Sequence, residues 1–223
     1  MNSFNDPEAV ARYAENPPRL VPGFTALQRM TLILMEEAAP ADAQILVIGA
    51  GGGLELKVFA EAQPDWGFTG VDPSAAMLKL AVDVMGPLGA RVDWHEGYVE
   101  TAPAGPFDAA TALLTLHFLD TAERLRTLEE IHTRLKPGAP LIVAHHSVPD
   151  QANAREIWLK RFAAFAANSG VDREKAELAG RTLNDKLPIH TPEQDEQLLS
   201  DAGFSDVSQF YAAFTFRGWI GYA

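Results

Sequence analysis

The chain contains no cysteine, which excludes disulfides, thiolate metal ligands and a cysteine nucleophile and leaves the redox compartment open. It has no apolar stretch of membrane-spanning length, and its first residues lack the charged-then-apolar pattern of a secretory signal. A cytoplasmic, soluble protein is the expectation. Basic residues are scarce: 18 lysines and arginines face 30 acids, for a net charge of −12. An acidic surface steers poorly towards phosphate backbones, so a small molecule is expected as partner in preference to nucleic acid. There is no internal repeat and no low-complexity tract.

What is present suits one sizeable core. Of 223 residues, 47% are hydrophobic and 22% charged. The reading is a single domain over residues 1–223, with residues 1–40 as an N-terminal helical segment and 149–190 as a helical lid insertion. "NPPRLVPGF" (Asn16–Phe24) reads as a stiff proline-rich loop. The helix after it carries Leu27, Met30, Leu34 and Met35 near one face.

Strand and helix signals then alternate. Strands are expected at Ile45–Ile48, Gly67–Val71, Arg91–Trp94, Phe107–Leu116 and Pro140–Ala144, with helices between them. Ser74 is a suitable cap, and Asp120 with Glu123 has the spacing of a capping box. The helix that follows is expected to bury Leu125, Leu128, Ile131 and Leu135. Such alternation makes a parallel α/β sheet with right-handed crossovers. It stops at 149–190, where two helices are expected around Ala152–Asn168 and Asp172–Leu183. It resumes at Thr191, whose box with Gln194 starts a last helix ahead of two strands, Asp206–Phe214 and Phe216–Tyr222. Too few residues separate these two for a crossover, so they should pair antiparallel.

The stretch "ILVIGAGGGLEL" (Ile45–Leu56) carries the clearest chemistry. A glycine-rich turn between a parallel strand and a helix brings backbone against a ligand and aims a helix N-terminus at it. The spacing is G-x-G-x-G at Gly49, Gly51 and Gly53. Leu54 stands where a dinucleotide fingerprint needs its last glycine, which disfavours a nicotinamide-dependent oxidoreductase, and no Lys-Ser or Lys-Thr follows to make a P-loop. Asp72 ends the next strand, where a carboxylate can accept both hydroxyls of a ribose.

These features resemble class I S-adenosylmethionine-dependent methyltransferases, and among them carboxy-S-adenosyl-L-methionine synthases and their relatives. "RLVPGF" (Arg19–Phe24), "LLTLHFLDTAERLRTLEEIHTRLKPG" (Leu113–Gly138) and "LLSDAGFSDVSQF" (Leu198–Phe210) carry the resemblance along nearly the whole chain. It implies a Rossmann-like seven-stranded methyltransferase sheet, mostly parallel with an antiparallel last strand pair, and S-adenosyl-L-methionine as cofactor. It also implies a cofactor site at Gly49, Ala50, Gly51, Gly53, Asp72, Pro73, Met77, Gly97, Tyr98, Val99 and Leu114. Two departures stand out: Val47 and Tyr98 occupy positions where the family usually has acids, the first of which helps orient the cofactor's ammonium group.

Methyl transfer from a sulfonium leaves a neutral sulfide, so alignment matters more than acid catalysis. His117 at the end of the fourth strand and His145 and His146 at the end of the fifth face the expected crevice as base candidates. No carboxylate partner is evident for the paired histidines, and no metal site is expected. Arg19 is a candidate clamp for a substrate carboxylate. Arg181 lies near, but one place from, the lid arginine of the synthases. Trp158, Phe162 and Phe165 read as lid packing, and Tyr13 as a residue able to reach the pocket. The leading reading is a methyltransferase acting on a small molecule. A carboxy-S-adenosylmethionine synthase using prephenate and a non-catalytic cofactor-binding protein are the alternatives, and a homodimer is left open.

Overall fold

The computed structural model describes residue 10, residues 13–150 and residues 154–223. Its elements follow one another as α1 (Asn16–Leu20), α2 (Phe24–Glu36), β1 (Gln44–Ile48), α3 (Leu54–Ala62), β2 (Gly67–Asp72), α4 (Ala75–Met85), β3 (Val92–Glu96), β4 (Ala109–Leu113), α5 (Thr121–Arg134), β5 (Pro140–His146), α6 (Ala154–Asn168), α7 (Arg173–Lys186), α8 (Pro192–Asp201), β6 (Ser205–Ala213) and β7 (Phe216–Tyr222). The strands form one sheet in the order β3-β2-β1-β4-β5-β7-β6. β1 to β5 are parallel, and β7 runs antiparallel to both β5 and β6. The expected seven-stranded α/β architecture with an antiparallel last pair is the observed one. No described helix is long and apolar enough to cross a membrane.

Alternation along the central strands feeds two cores. Ile45 and Val47 on one face of β1 join Leu27, Met35, Leu56 and Phe59 from α2 and α3. Leu46 and Ile48 on the other face join Leu128, Ile131, Leu198 and Trp219 from α5, α8 and β7. Both faces of the central strands are covered, as a parallel sheet requires. Each fully buried side chain of this size contributes about 1.5–3 kcal/mol. Ser74 caps α4, and Asp120 with Glu123 and Thr191 with Gln194 both close as full capping boxes.

Several boundaries differ from expectation. Asn16–Leu20 is a helix rather than a loop, because Pro17 and Pro18 stand in its first turn, where a missing N–H costs nothing. β3 starts at Val92, since the Arg91 guanidinium instead donates to the carbonyls of Gln63 (2.8 Å) and Trp66 (3.0 Å). β4 stops at Leu113: Leu114 takes φ 58°, and Leu116–Phe118 closes a 3₁₀ turn. β5 runs on to His146 because β7 pairs with it that far. The expected start of α6 at Ala152 lies outside the described residues.

On α5, Leu125 is only half-buried and Arg124 takes the interior place, 1% exposed. Its Nη1 donates to Asp195 Oδ1 at 2.6 Å, and its Nη2 to the Pro188 carbonyl at 3.1 Å. His145 Nε2 and His190 Nδ1 lie 3.2 and 3.3 Å from the same carboxylate oxygen. Burial alone would push Asp195 up, but His145, His190 and Arg124 override it and hold it far below the usual carboxylate range. The expectation that the paired histidines lack a carboxylate neighbour is therefore corrected: α8, 50 residues along the chain from His145, brings one in.

Burial depresses His117, His145 and His146, the last to about 3. Below pH 6.5 the unfolded chain takes up protons at these positions that the native state refuses. Their stabilising contribution is thus complete above the unfolded pKa and declines as pH falls, by up to about 1.4 kcal/mol per pH unit for each histidine. Asp195 does not titrate in this window. Glu55, pushed up to about 7, works in the opposite direction over this range, so urea unfolding at pH 7 and pH 5 should show a net loss at pH 5 carried by the three histidines and reduced by Glu55. Asp195→Ala should cost about 3–5 kcal/mol at pH 7, because it strands a buried guanidinium.

Candidate active site

The turn after β1 is strapped to the end of β2: the N–H groups of Gly49 and Ala50 both donate to the Val71 carbonyl, at 2.8 and 3.0 Å. Gly49 has φ 76°, and a Cβ there would overlap the Thr115 hydroxyl. The N–H of Gly51 donates to Asp72 Oδ2 at 3.0 Å, and that of Ser74 to Asp72 Oδ1 at 2.8 Å. A Cβ on Gly51 would stand 2.5 Å from Asp72 Oδ2 and 2.7 Å from Met77 Cβ. Gly51 is thus glycine because a carboxylate and a methionine converge on its backbone. The turn ends at Gly53, the N-cap of α3, which supplies no side chain to satisfy the first-turn N–H groups.

Asp72 sits at the carboxyl end of β2, followed by Pro73. Burial pushes its carboxyl up, and the N–H groups of Ser74 and Gly51 pull it back; the net shift is upward. Beside it the N–H of Gly97 donates to the Asp72 carbonyl at 3.1 Å. Tyr98 is 57% exposed and Val99 is buried, opening a 3₁₀ turn. The tyrosine found where an acid is usual therefore lies at the surface next to the Asp72 edge.

The ring of Tyr13 lies across the turn, its Cε1 2.5 Å from where a Cβ on Gly52 would be. Tyr13 also borders a cleft of about 520 Å³ over the ends of β4 and β5. Leu114, His117, Phe118 and His146 form its floor, α1 one wall through Pro17 and Leu20, and α6–α7 the other through Phe162, Ala179 and Leu183. Most of the lining is apolar. His146 Nδ1 pairs with Thr215 Oγ1 at 2.9 Å, and the ring lies 4.0 Å from that of Phe216. Burial and the neighbouring histidines keep His117 neutral. Its Nδ1 accepts from the N–H of His146 at 3.4 Å.

The remaining candidates fall elsewhere. His145 points to the opposite face of β5, against Trp219 and Asp195, and does not line the cleft, because successive strand residues alternate. Arg19 is exposed, 3.7 Å from Glu15, and is also absent from the lining. Arg181 faces an open groove of about 1000 Å³ between α6 and α7. Of the three aromatics, Phe162 alone reaches the cleft; Trp158 stacks under Arg161 and Arg217, and Phe165 packs near Phe214.

Sequence reasoning missed Glu55. It lies in the first turn of α3 and is 8% exposed; burial pushes its carboxyl up to about 7, against a hydrogen bond from its own backbone N–H and with the field of Asp72. The available signal was an acid directly after a glycine turn, on a helix otherwise buried by Leu56, Phe59 and Ala60. Thr115 and Phe216 were missed as well; both are set by contacts made far along the chain.

Residues 45–138 match the family model described as a methyltransferase domain. The chain is 26% identical over 224 residues to the carboxy-S-adenosyl-L-methionine synthase of Chromohalobacter salexigens, covering 97% of this chain and 82% of that one. An O-methyltransferase family protein from Burkholderia thailandensis superposes with TM-score 0.67 at 16% identity, over 98% of this chain and 61% of that one. A structure of PigF with SAH superposes with TM-score 0.64 at 18% identity, over 98% and 60%. The resemblance to S-adenosylmethionine-dependent methyltransferases thus holds in the domain model and in the fold, and carboxy-S-adenosylmethionine synthases are among the relatives.

The tightness of the turn has a measurable consequence. Gly49→Ala adds overlap with Thr115 to the strain of a left-handed residue, whereas Gly138→Ala at φ 79° has nothing within 4 Å of the new Cβ. Gly138→Ala should cost about 1–2 kcal/mol from backbone strain. Gly49→Ala should cost about 1–3 kcal/mol more from overpacking. Urea unfolding of the two variants checks the difference.

Proposed function

We propose that this chain, which carries a methyltransferase domain over residues 45–138, binds S-adenosyl-L-methionine on its glycine turn and methylates a small, largely apolar acceptor held in the adjacent cleft. The observation that carries the reading is the Asp72 carboxylate, fixed by the N–H groups of Gly51 and Ser74 where the turn admits no side chain. The residues present fit the cofactor. Asp72 offers an acceptor to two ribose hydroxyls, and the first turn of α3, whose N-cap Gly53 supplies no side chain, offers a helix N-terminus to a carboxylate. Ala50, Pro73 and Met77 flank the turn, and Gly97, Tyr98, Val99 and Leu114 border the β3 and β4 ends as the remaining proposed contacts.

When bound, S-adenosylmethionine supplies a methyl group on a positively charged sulfur. The chain's part is to align the acceptor and exclude water. The floor and the α6–α7 wall, acting as a lid, serve both ends. Of the proposed bases, His117 and His146 line the cleft and burial depresses both; His146 is engaged with Thr215, and His117 is a weak proton acceptor. It therefore acts as a hydrogen-bonding partner to an acceptor that is already nucleophilic. His145 and Arg19 have no support from their placement.

A synthase using prephenate must hold an added carboxylate, which calls for a guanidinium. No arginine is among the described residues lining the cleft, and the lone lysine there, Lys175, is exposed. This favours the ordinary cofactor. Mass spectrometry of ligand released from purified protein should find S-adenosylmethionine or S-adenosylhomocysteine; a carboxylated species would establish the synthase reading. Calorimetry should show Asp72→Ala weakening S-adenosylhomocysteine at least about tenfold, given roughly 1.5–3 kcal/mol for each hydrogen bond to a charged group. Unchanged affinity would remove the turn as the cofactor site.

A further inference from the structure

We propose that Glu55 is the residue that receives the ammonium group of S-adenosylmethionine, in place of an acid at the position of Val47. The assignment rests on the glycine turn being the cofactor site. A methionine moiety brings a cationic amine next to a cationic sulfur, and a buried pocket must meet that charge with a carboxylate. Val47 is an aliphatic residue, 0% exposed and packed into the core below the turn, so it meets none of it.

Glu55 is built for the role. It follows Gly53 by two residues, and its side chain is more than nine-tenths buried in the first turn of α3. Among the described residues no lysine, arginine or histidine forms an ion pair with it. The ionisable groups that act on it from packed elements are acidic: Asp72 at the end of β2, and Tyr13, whose ring lies over Gly52. On the helices packed against α3, Lys79 is engaged with Asp83, Glu36 accepts from Gln63, and Arg29 is exposed. The carboxyl is therefore held close to neutral pKa, and burial with the acidic neighbours pushes Tyr13 up too. A buried acid that no described cation pairs with, next to Asp72 and Tyr13 beside a ligand turn, suits an incoming positive charge.

Proton linkage follows. Below pH 7 Glu55 holds a proton in the free protein, and an arriving ammonium group displaces it. Affinity should then fall with decreasing pH, by at most about tenfold per unit. 5′-Methylthioadenosine shares the adenosine and thioether but lacks the amine, so it should bind without this effect.

The test is calorimetry of S-adenosylhomocysteine and 5′-methylthioadenosine at pH 6.5, in two buffers of different ionisation enthalpy. Wild-type protein should release about three-quarters of a proton on binding S-adenosylhomocysteine and markedly less on binding methylthioadenosine. Glu55→Gln should weaken S-adenosylhomocysteine at least about tenfold, abolish the extra proton release, and change methylthioadenosine by less than about threefold. Equal proton release for both ligands overturns the assignment with wild-type protein alone, whether or not the variant folds. A folded Glu55→Gln with unchanged affinity, or with equal loss for both ligands, overturns it as well. Wild-type protein that binds neither ligand overturns the cofactor-site reading and this assignment together.

Discussion

The Asp72 carboxylate organises the site. One oxygen takes the Gly51 N–H of the β1 turn and the other the Ser74 N–H ahead of α4, so a single side chain fastens two parallel units together. Lacking a Cβ, Gly51 lets the carboxylate come this close, and Met77 on the first turn of α4 closes the gap from the far side. The turn is also pinned through its backbone: Gly49 and Ala50 donate to Val71, and Gly52 to Met77. The shape of the crevice follows from this fastening, because α3 and α4 both start from it.

Charge is distributed unevenly around that crevice. On the turn side stand Asp72, Glu55 and Tyr13, all shifted up by burial. On the cleft side stand His117 and His146, shifted down by burial. Desolvation favours the neutral form of both kinds of group, leaving an acid-rich turn next to a largely apolar cleft whose histidines are neutral. That asymmetry suits a cationic donor beside an uncharged acceptor. A strongly ionic buried pair, Arg124 with Asp195, lies across β5 from the cleft and ties α5 to α8.

Much of this was legible in the residues. Period-two strands, period-3.6 helices, the caps at Ser74, Asp120 and Thr191, and the glycine turn followed by Asp72 are local signals, and each needs only a few consecutive residues to be decided. They determined the sheet, the antiparallel last pair and the edge where the glycine turn meets Asp72. Tertiary structure decided the rest. Whether His145 or His146 faces the cleft depends on the pleat where β7 extends β5. Arg124 displaces Leu125 inward because Asp195 arrives from 71 residues away. Arg19 and Arg181 fall outside the cleft because the helices carrying them turn other faces to it. The charge state of Glu55 is set by its burial and by Asp72 and Tyr13, neighbours 17 and 42 residues distant in sequence. Local sequence fixes backbone periodicity through short-range sterics and hydrogen bonds, whereas side-chain partners and dielectric environment exist only once distant segments have packed.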